Sequence, residues 1–447
     1  MNFDAVKNSL ISEAKAAGLA EYEIYFMESD GISAETLNGE VSSFTSELSG
    51  GIGFRCVVDG RMGIASTEFF DDEEMKALVQ RAINNAKNIE SDDKAVIYSG
   101  SDSYKTPCLP AFEKADAAIL KKRALELLES TTSQSEFVAE GTQTGGVSSN
   151  VRIKLINSHG LELSAEVGAS LLFVQAVIQK DGEAQYGVAV ESGLFGEKID
   201  GMPKEAIEDA LKKVGAVEIP SGKYDIIIDG KQMKNLLATF SPVFSGRQAN
   251  LGLSLLKGKE NEQVASPCIT IVDDPFYEGS AMQIGFDGEG VATYTKNVVE
   301  NGVLKTLLYD IASADKVGKQ STGNGQRGSY ASPVGISPYH FYVAAGERTD
   351  EELLADLKDG LYITDLKGLH AGANAVTGDF SIESFGFLVE NGKKTKAVKS
   401  FTVAGNFFEL IKNIEAVSND VKFGLDNDFT VFGAPDTLIR NMSVAGT

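Results

Sequence analysis

The run Gly323-Asn324-Gly325-Gln326-Arg327-Gly328 matches G-x-G-x-x-G letter for letter. In a dinucleotide site that pattern follows a strand and opens a helix, whose N-terminus holds the pyrophosphate. Here Ser329-Tyr-Ala-Ser-Pro333 comes next, with more glycine and proline behind it, and no such helix can begin there. A Rossmann site is therefore disfavoured. Two readings of equal weight remain. In one, the loop is exposed, and Gly323, Asn324, Gly325, Arg327 and Tyr330 face a peptide or carboxylate through backbone N–H groups and side chains. In the other, it is a turn that merely needs glycine. His370 and Asn374, within the glycine-rich stretch 368–378, are a second choice for peptide contact.

Histidine is the informative shortage. His159, His340 and His370 are the only three, and none lies within helical reach of another, so no zinc-binding pair shares a helix face. Isolated histidines in strands and turns are more often core or surface residues than ligands. Asp273-Asp274 beside Pro275 reads as turn residues before it reads as a catalytic dyad. Gly318-Lys319 and Gly392-Lys393 lack the Ser or Thr and the spacing of a phosphate-binding loop, and no G-x-S-x-G elbow occurs. Cys56 falls inside an expected hairpin, where a small buried thiol is the simpler reading.

The elements that must position these residues are short and turn-rich. Val6, Leu10, Ile11, Ala14 and Ala17 mark an opening helix stopped by Gly18. Asn38-Gly39 and Asp59-Gly60 then predict two hairpins. Met75, Leu78, Val79, Ala82, Ile83 and Ala86 form the buried face of a helix led by Asp71-Asp-Glu-Glu74. After a Ser-, Asp- and Pro-containing boundary at 99–110 come a helix from Ala117, strands from Phe137 to Val190 with a turn at Asp181-Gly182, and a helix started by Pro203. Ile219-Pro-Ser-Gly222 reads as a linker. Beyond it, Asp225–Ile228 is a buried strand, and hairpin-like pairs recur at Asp287-Gly288, Asn301-Gly302 and Asn391-Gly392. Thr349 to Glu352 forms a capping box, and Asn406 caps a short helix through Ile414.

The expected organisation is a helix/hairpin segment over 1–98, a middle α+β segment over 111–218 and a β-rich domain over 223–447. The fold class is α+β: small helix–hairpin units, then a larger antiparallel, barrel-like β domain with inserted helices. No short-period repeat is visible.

The chain's 447 residues exceed one ordinary core, and 43% apolar with 23% charged residues is a globular composition. With 41 basic and 64 acidic residues the formal charge is −23, which opposes approach to a phosphate backbone and favours basic or neutral peptide partners. Three scattered cysteines fit reduced cytosolic thiols. The first ten residues have no apolar core for a signal peptide, and Ala169–Ile178 is too short for a membrane span, so a cytoplasmic protein without membrane contact is expected.

The second half carries an ordered series of blocks. These are Val264-Ala-Ser-Pro-Cys-Ile-Thr-Ile-Val-Asp-Asp274, Gly285-Phe-Asp-Gly-Glu-Gly290, Val299-Glu-Asn-Gly-Val-Leu-Lys305 and Ser321–Tyr330, then Gly378–Gly392 and Met442-Ser-Val-Ala-Gly446. With Gly51-Ile-Gly-Phe-Arg55 and Asp59–Ser66, the series resembles the TldD/PmbA family, long labelled modulators of DNA gyrase, over nearly the whole chain. The resemblance implies a heteromeric metalloprotease that processes small peptides and labile proteins, including microcin maturation and antitoxin turnover. Its catalytic TldD branch carries an H-E-x-x-x-H helix and a later Cys ligand. The corresponding helix here, between Met233 and Asn250, has no His or Glu, and Val431-Phe432-Gly433 stands where the Cys would be. The chain thus resembles the PmbA/TldE branch. Resemblance to that branch implies a subunit without catalytic or metal-ligating residues of its own, with zinc on a TldD-type partner. It would shape the channel for an extended or unfolded peptide within a homo- or hetero-oligomer. The alternatives are a stand-alone peptide-binding homodimer, and a hydrolase built on Cys56 or on His340 with His370.

Overall fold

The computed structural model describes residues 3–91, 93–110, 112, 114–425 and 430–446. Ala111, where the middle segment was expected to open, lies outside them. The first half is built from α1 (Phe3–Ala16), β1 (Tyr22–Leu37), β2 (Glu40–Val58), β3 (Arg61–Thr67) and α2 (Asp72–Asn88). Then come α3 (Ala117–Gln134), β4 (Gln143–Asn157), β5 (Glu162–Lys180), β6 (Glu183–Ser192) and α4 (Glu197–Lys212). The order helix, three strands, helix occurs twice, and the two copies share one six-stranded sheet, β3-β2-β1-β4-β5-β6, through the antiparallel β1–β4 pair.

Each copy seats its last helix on a glycine of its edge strand. A Cβ on Gly63 would meet the Ala82 carbonyl oxygen at 2.0 Å, and one on Gly187 would meet that of Ala206 at 2.1 Å. Gly63 is separated from Ala82 and Ala86 by the same spacing as Gly187 from Ala206 and Ala210. Pro203 lies inside α4 and does not begin it, because Gly196, at φ +122°, opens the helix earlier. The missing Pro203 N–H leaves only the Ile199 carbonyl without its helical partner.

The second half opens with β7 (Gly222–Ile228), α5 (Gly230–Phe240), α6 (Gly246–Asn250), β8 (Ile271–Asp273), β9 (Lys296–Glu300) and β10 (Val303–Leu304). Next are α7 (Ile311–Asp315), β11 (Gly325–Gln326), β12 (Gly335–Ile336), β13 (His340–Val343), α8 (Asp350–Leu357), β14 (Gly360–Lys367) and α9 (Leu369–Gly372). It ends with β15 (Asp379–Glu390), β16 (Lys393–Asn406), α10 (Phe407–Lys412), β17 (Ile414–Val417), β18 (Lys422–Leu425), β19 (Val431–Ala434) and β20 (Thr437–Ala445). Strands β16-β15-β14-β7-β20 close into a barrel, because β16 also pairs with β20. A second sheet, β10-β9-β8-β13-β19-β18, stands beside it. The β7–β14 and β13–β19 pairs are parallel within these otherwise antiparallel sheets.

One apolar core joins barrel and second sheet, and in it Phe240 stacks on Phe407 with ring centroids 4.5 Å apart. The capping box is formed: Thr349 N–H donates to Glu352 at 2.9 Å, and Glu352 N–H donates to Thr349 Oγ1 at 3.2 Å. Thr349→Ala should lower stability by about 1 kcal/mol in urea unfolding. A loss below a few tenths would mean that packing alone holds α8.

The two halves meet through a smaller core of Tyr25, Met27, Ile153, Leu155, Ile284 and Phe286 with Tyr339. The boundary stretch 99–110 is fastened to the second half. Tyr104 Oη donates to the Gly290 carbonyl at 2.7 Å, and Cys108 N–H donates to Gln283 Oε1 at 3.0 Å. Among the described residues no helix is long and apolar enough to cross a membrane.

Candidate functional site

The 323–330 loop turns most of its side chains inward. Asn324 is fully buried; its amide donates to Asp273 at 2.7 Å and to the Ser337 carbonyl at 3.1 Å, while its oxygen accepts from Thr322 at 2.8 Å. Lys296, also buried, pairs with Asp273 at 3.0 Å. Gly325 N–H donates to Asp287 at 2.9 Å, and a Cβ there would meet the Glu289 carboxylate at 2.8 Å. Gly323 is buried at φ +70°. The buried Arg327 guanidinium pairs with Glu23 of β1 and lies 4.4 Å from the Tyr25 ring centroid. Burial lowers its pKa, and the neighbouring Arg55 lowers it further. Asp287 is driven the other way, well above the carboxylate range, by burial and by the charge of Glu289. This part of the loop is a strap between the halves.

Tyr330 differs. It lines a groove of about 330 Å³ with Met27, Gly50, Ala169 and Met282, and its hydroxyl is bonded to Glu68, which pushes the phenol up to about 12. His370 lies on α9, while Asn374 closes a turn by accepting the N–H groups of Val376 and Thr377 at 2.9 and 3.2 Å. Neither lines this groove or the larger cleft beside it.

That cleft, of about 720 Å³, lies where the sheet of the first half faces the second sheet. Phe112, Ile119, Gly168, Ala169 and Phe195 line one side; Tyr277, Ser280, Met282, His340 and Phe423 line the other. Gly168, Ala169 and Met282 also border the groove of Tyr330, so the two adjoin. Tyr277 stacks on His340 at 5.6 Å and packs against Phe423 at 4.5 Å, so one wall is aromatic. Apolar walls with a few inward polar groups suit an extended chain carrying bulky side chains. Of the cleft residues the sequence marks only His340 as a chemical group. Phe195, an aromatic residue in the short run Gly193-Leu-Phe-Gly196, was the available signal, and it is 67% exposed.

Family profiles described as PmbA/TldA metallopeptidase domain 1, central domain and C-terminal domain match residues 22–86, 110–214 and 221–446. An uncharacterized protein of Methanocaldococcus jannaschii is 32% identical over 410 residues, covering 90% of this chain and 92% of that one. The chain belongs to the PmbA/TldD metallopeptidase family. A Haemophilus influenzae metalloprotease TldD homologue is 26% identical (90% of this chain, 86% of that one), and the Escherichia coli metalloprotease PmbA is 24% identical (94% and 91%). A Thermotoga maritima crystal structure, described as a candidate modulator of a DNA gyrase, superposes with TM-score 0.90 at 30% identity, covering 99% of this chain and all of that one. TldE from Thermococcus kodakarensis shares the fold at TM-score 0.89 and 24% identity, with 99% and 100% covered.

Identity alone does not separate the TldD-named from the PmbA-named relatives, so the family's metal is tested on the residues themselves. The two stretches that the resemblance to the TldD branch assigns to its ligands lie against each other: α5 packs against β19. There Met233, Leu236, Leu237 and Phe240 of α5 share one core with Phe432. Leu and Phe side chains cannot ligate zinc, a Met thioether is not among its usual Cys, His and carboxylate ligands, and among the described residues no three His, Cys, Asp or Glu side chains are grouped to hold a metal ion. The residues present at this place in a PmbA/TldD chain do not fit the metal.

Cys56 is buried and its thiol is pushed up to about 11 by desolvation, whereas Cys108 and Cys268 are exposed. An aromatic disulfide reagent at pH 8 should titrate two thiols in the folded chain and the third only on unfolding. Rapid reaction of all three would show that the first sheet opens.

Proposed function

We propose that this chain is the PmbA/TldE-type subunit of a TldD/TldE metalloprotease complex. In this reading it holds an extended or unfolded peptide in the cleft between its halves, while a TldD-type partner carries the zinc and cleaves. The observation that supports the reading is the packed apolar face of α5 and β19, where the resemblance would put the catalytic branch's ligands. The cleft beside β18 and β19 supports the peptide role, since Phe423 and Val431 belong to its wall. Tyr330 faces the peptide at the far end of the groove, and Gly323, Asn324, Gly325 and Arg327 fix that end from behind.

The test is reconstitution. The chain purified alone should contain no stoichiometric zinc by elemental analysis and hydrolyse no peptide. Mixed with a TldD-type protein from the same cell it should co-elute, and chelator-sensitive cleavage should appear. Chelator-sensitive cleavage by the chain alone would overturn the reading. Peptide binding with no association would instead support the stand-alone homodimer.

A further inference from the structure

One cluster in the cleft has the geometry of chemistry that needs no metal. His340 Nδ1 lies 2.8 Å from the Asp274 carbonyl oxygen, and Nε2 lies 2.6 Å from Ser280 Oγ. A carbonyl only accepts, so Nδ1 carries the proton, and Nε2 accepts the Ser280 hydroxyl. The backbone ties the same pieces together, with Asp274 N–H donating to the His340 carbonyl at 2.9 Å. Gln283, buried, fixes the serine loop. Its amide donates to the carbonyls of Tyr277, Ser280 and Cys108 at 3.1, 3.2 and 3.1 Å.

Gly279 and Ala281, either side of the serine, also line the cleft, and their N–H groups make no hydrogen bond among the described residues. Nucleophile on base, base on orienter, and two free donors beside the nucleophile are the parts of an acyl-transfer site.

We propose that Ser280 accepts acyl groups from apolar carboxylic esters, with His340 as its base. The acyl chain would lie against Ile119, Phe195 and Phe423. Ser280 Oγ bonds to the ester carbonyl carbon while its proton passes to His340 Nε2. The tetrahedral oxyanion takes the N–H groups of Gly279 and Ala281. Collapse breaks the bond to the alcohol oxygen, which leaves with the proton from His340. Water then gives a proton to the same nitrogen and bonds to the acyl carbon; the bond to Ser280 Oγ breaks, the acid leaves and the proton returns from His340 to the serine oxygen. Burial lowers the His340 pKa, so the ring is an unprotonated base at neutral pH.

The test treats the folded full chain with an alkyl fluorophosphonate, without partner or metal, and maps the adduct by mass spectrometry. One adduct on Ser280 is expected: Oγ bonds to phosphorus, fluoride leaves and His340 takes the proton. His340→Gln should slow labelling about hundredfold in a chain that still folds, with a lowered melting temperature because the ring is buried and bonded at both nitrogens. Ser280→Ala should abolish it, together with chelator-insensitive p-nitrophenyl butyrate hydrolysis. An unlabelled Ser280 in the folded wild type, or equal labelling of His340→Gln, overturns the proposal. Neither result touches the reconstitution with a TldD-type partner, so the two readings fail separately.

Discussion

Glu23→Ala is expected to destabilise the protein by about 3–5 kcal/mol, the cost of breaking a buried ion pair from one side. Glu23 is fully buried on β1 and opposes Arg55 across the β1–β2 pair, with Arg55 Nε 2.8 Å from its carboxylate. Arg327 reaches the same carboxylate from the other half of the molecule. Removing it leaves two buried guanidinium groups facing only Asp287 and Glu289, both of which burial raises in pKa. These raised values fix the sign of the pH response. Asp287 is protonated in the folded chain at pH values where the unfolded chain has ionised, so its contribution is complete below about pH 4 and is lost as pH rises through the raised value. In Glu23→Ala the uncompensated arginines draw Asp287 toward ionisation, and that loss should flatten. Urea unfolding from pH 4 to 8 reads both effects. A triple variant, Glu23→Leu with Arg55→Met and Arg327→Met, should recover part of the stability, because it removes Glu23 and both guanidinium groups together and leaves Asp287 and Glu289, already raised by burial, to stay protonated. A single-variant loss below 1 kcal/mol would show that water screens the cluster.

That cluster also shows what the sequence can and cannot disclose. Turns are local, and Asn38-Gly39, Asp59-Gly60, Asp181-Gly182, Asn301-Gly302 and Asn391-Gly392 all take positive φ at both residues. Asp287-Gly288 has the same letters but not the same conformation. Asp287 is buried and accepts the Glu289 and Val291 N–H groups, and the positive φ falls on Gly290. Caps are equally local, which is why the Thr349 box and Asn406 could be read.

Direction is not local. Nothing near Arg327 says that its guanidinium points inward, because its partner Glu23 is 304 positions away. The β1–β4 pairing that unites the first half, and the β16–β20 pairing that closes the barrel, are non-local in the same way. The repeated helix, three strands, helix order has one trace in the sequence, a glycine followed at the same spacing by two alanines. A search for short-period repeats passes over it.

Ala169→Trp should reduce peptide cleavage by the reconstituted pair tenfold to hundredfold, about 1.4–2.8 kcal/mol. Ala169 sits on β5 opposite Ser149 and borders both the 720 Å³ cleft and the 330 Å³ groove. An indole at that junction occupies the space an extended peptide must cross to reach from Phe423 to Tyr330. Its side chain enters open volume and displaces no core residue, so the melting temperature and co-elution with the partner should hold. The partner's zinc content should hold too, which separates a blocked channel from a damaged metal site. Short peptides fitting within the larger cleft should lose less than long ones, because only the long ones must pass the junction. Equal cleavage of long peptides by wild type and Ala169→Trp would remove the cleft from the substrate's path. The contribution of this chain would then lie in its contact with the partner, and the aromatic wall around His340 would need a different ligand.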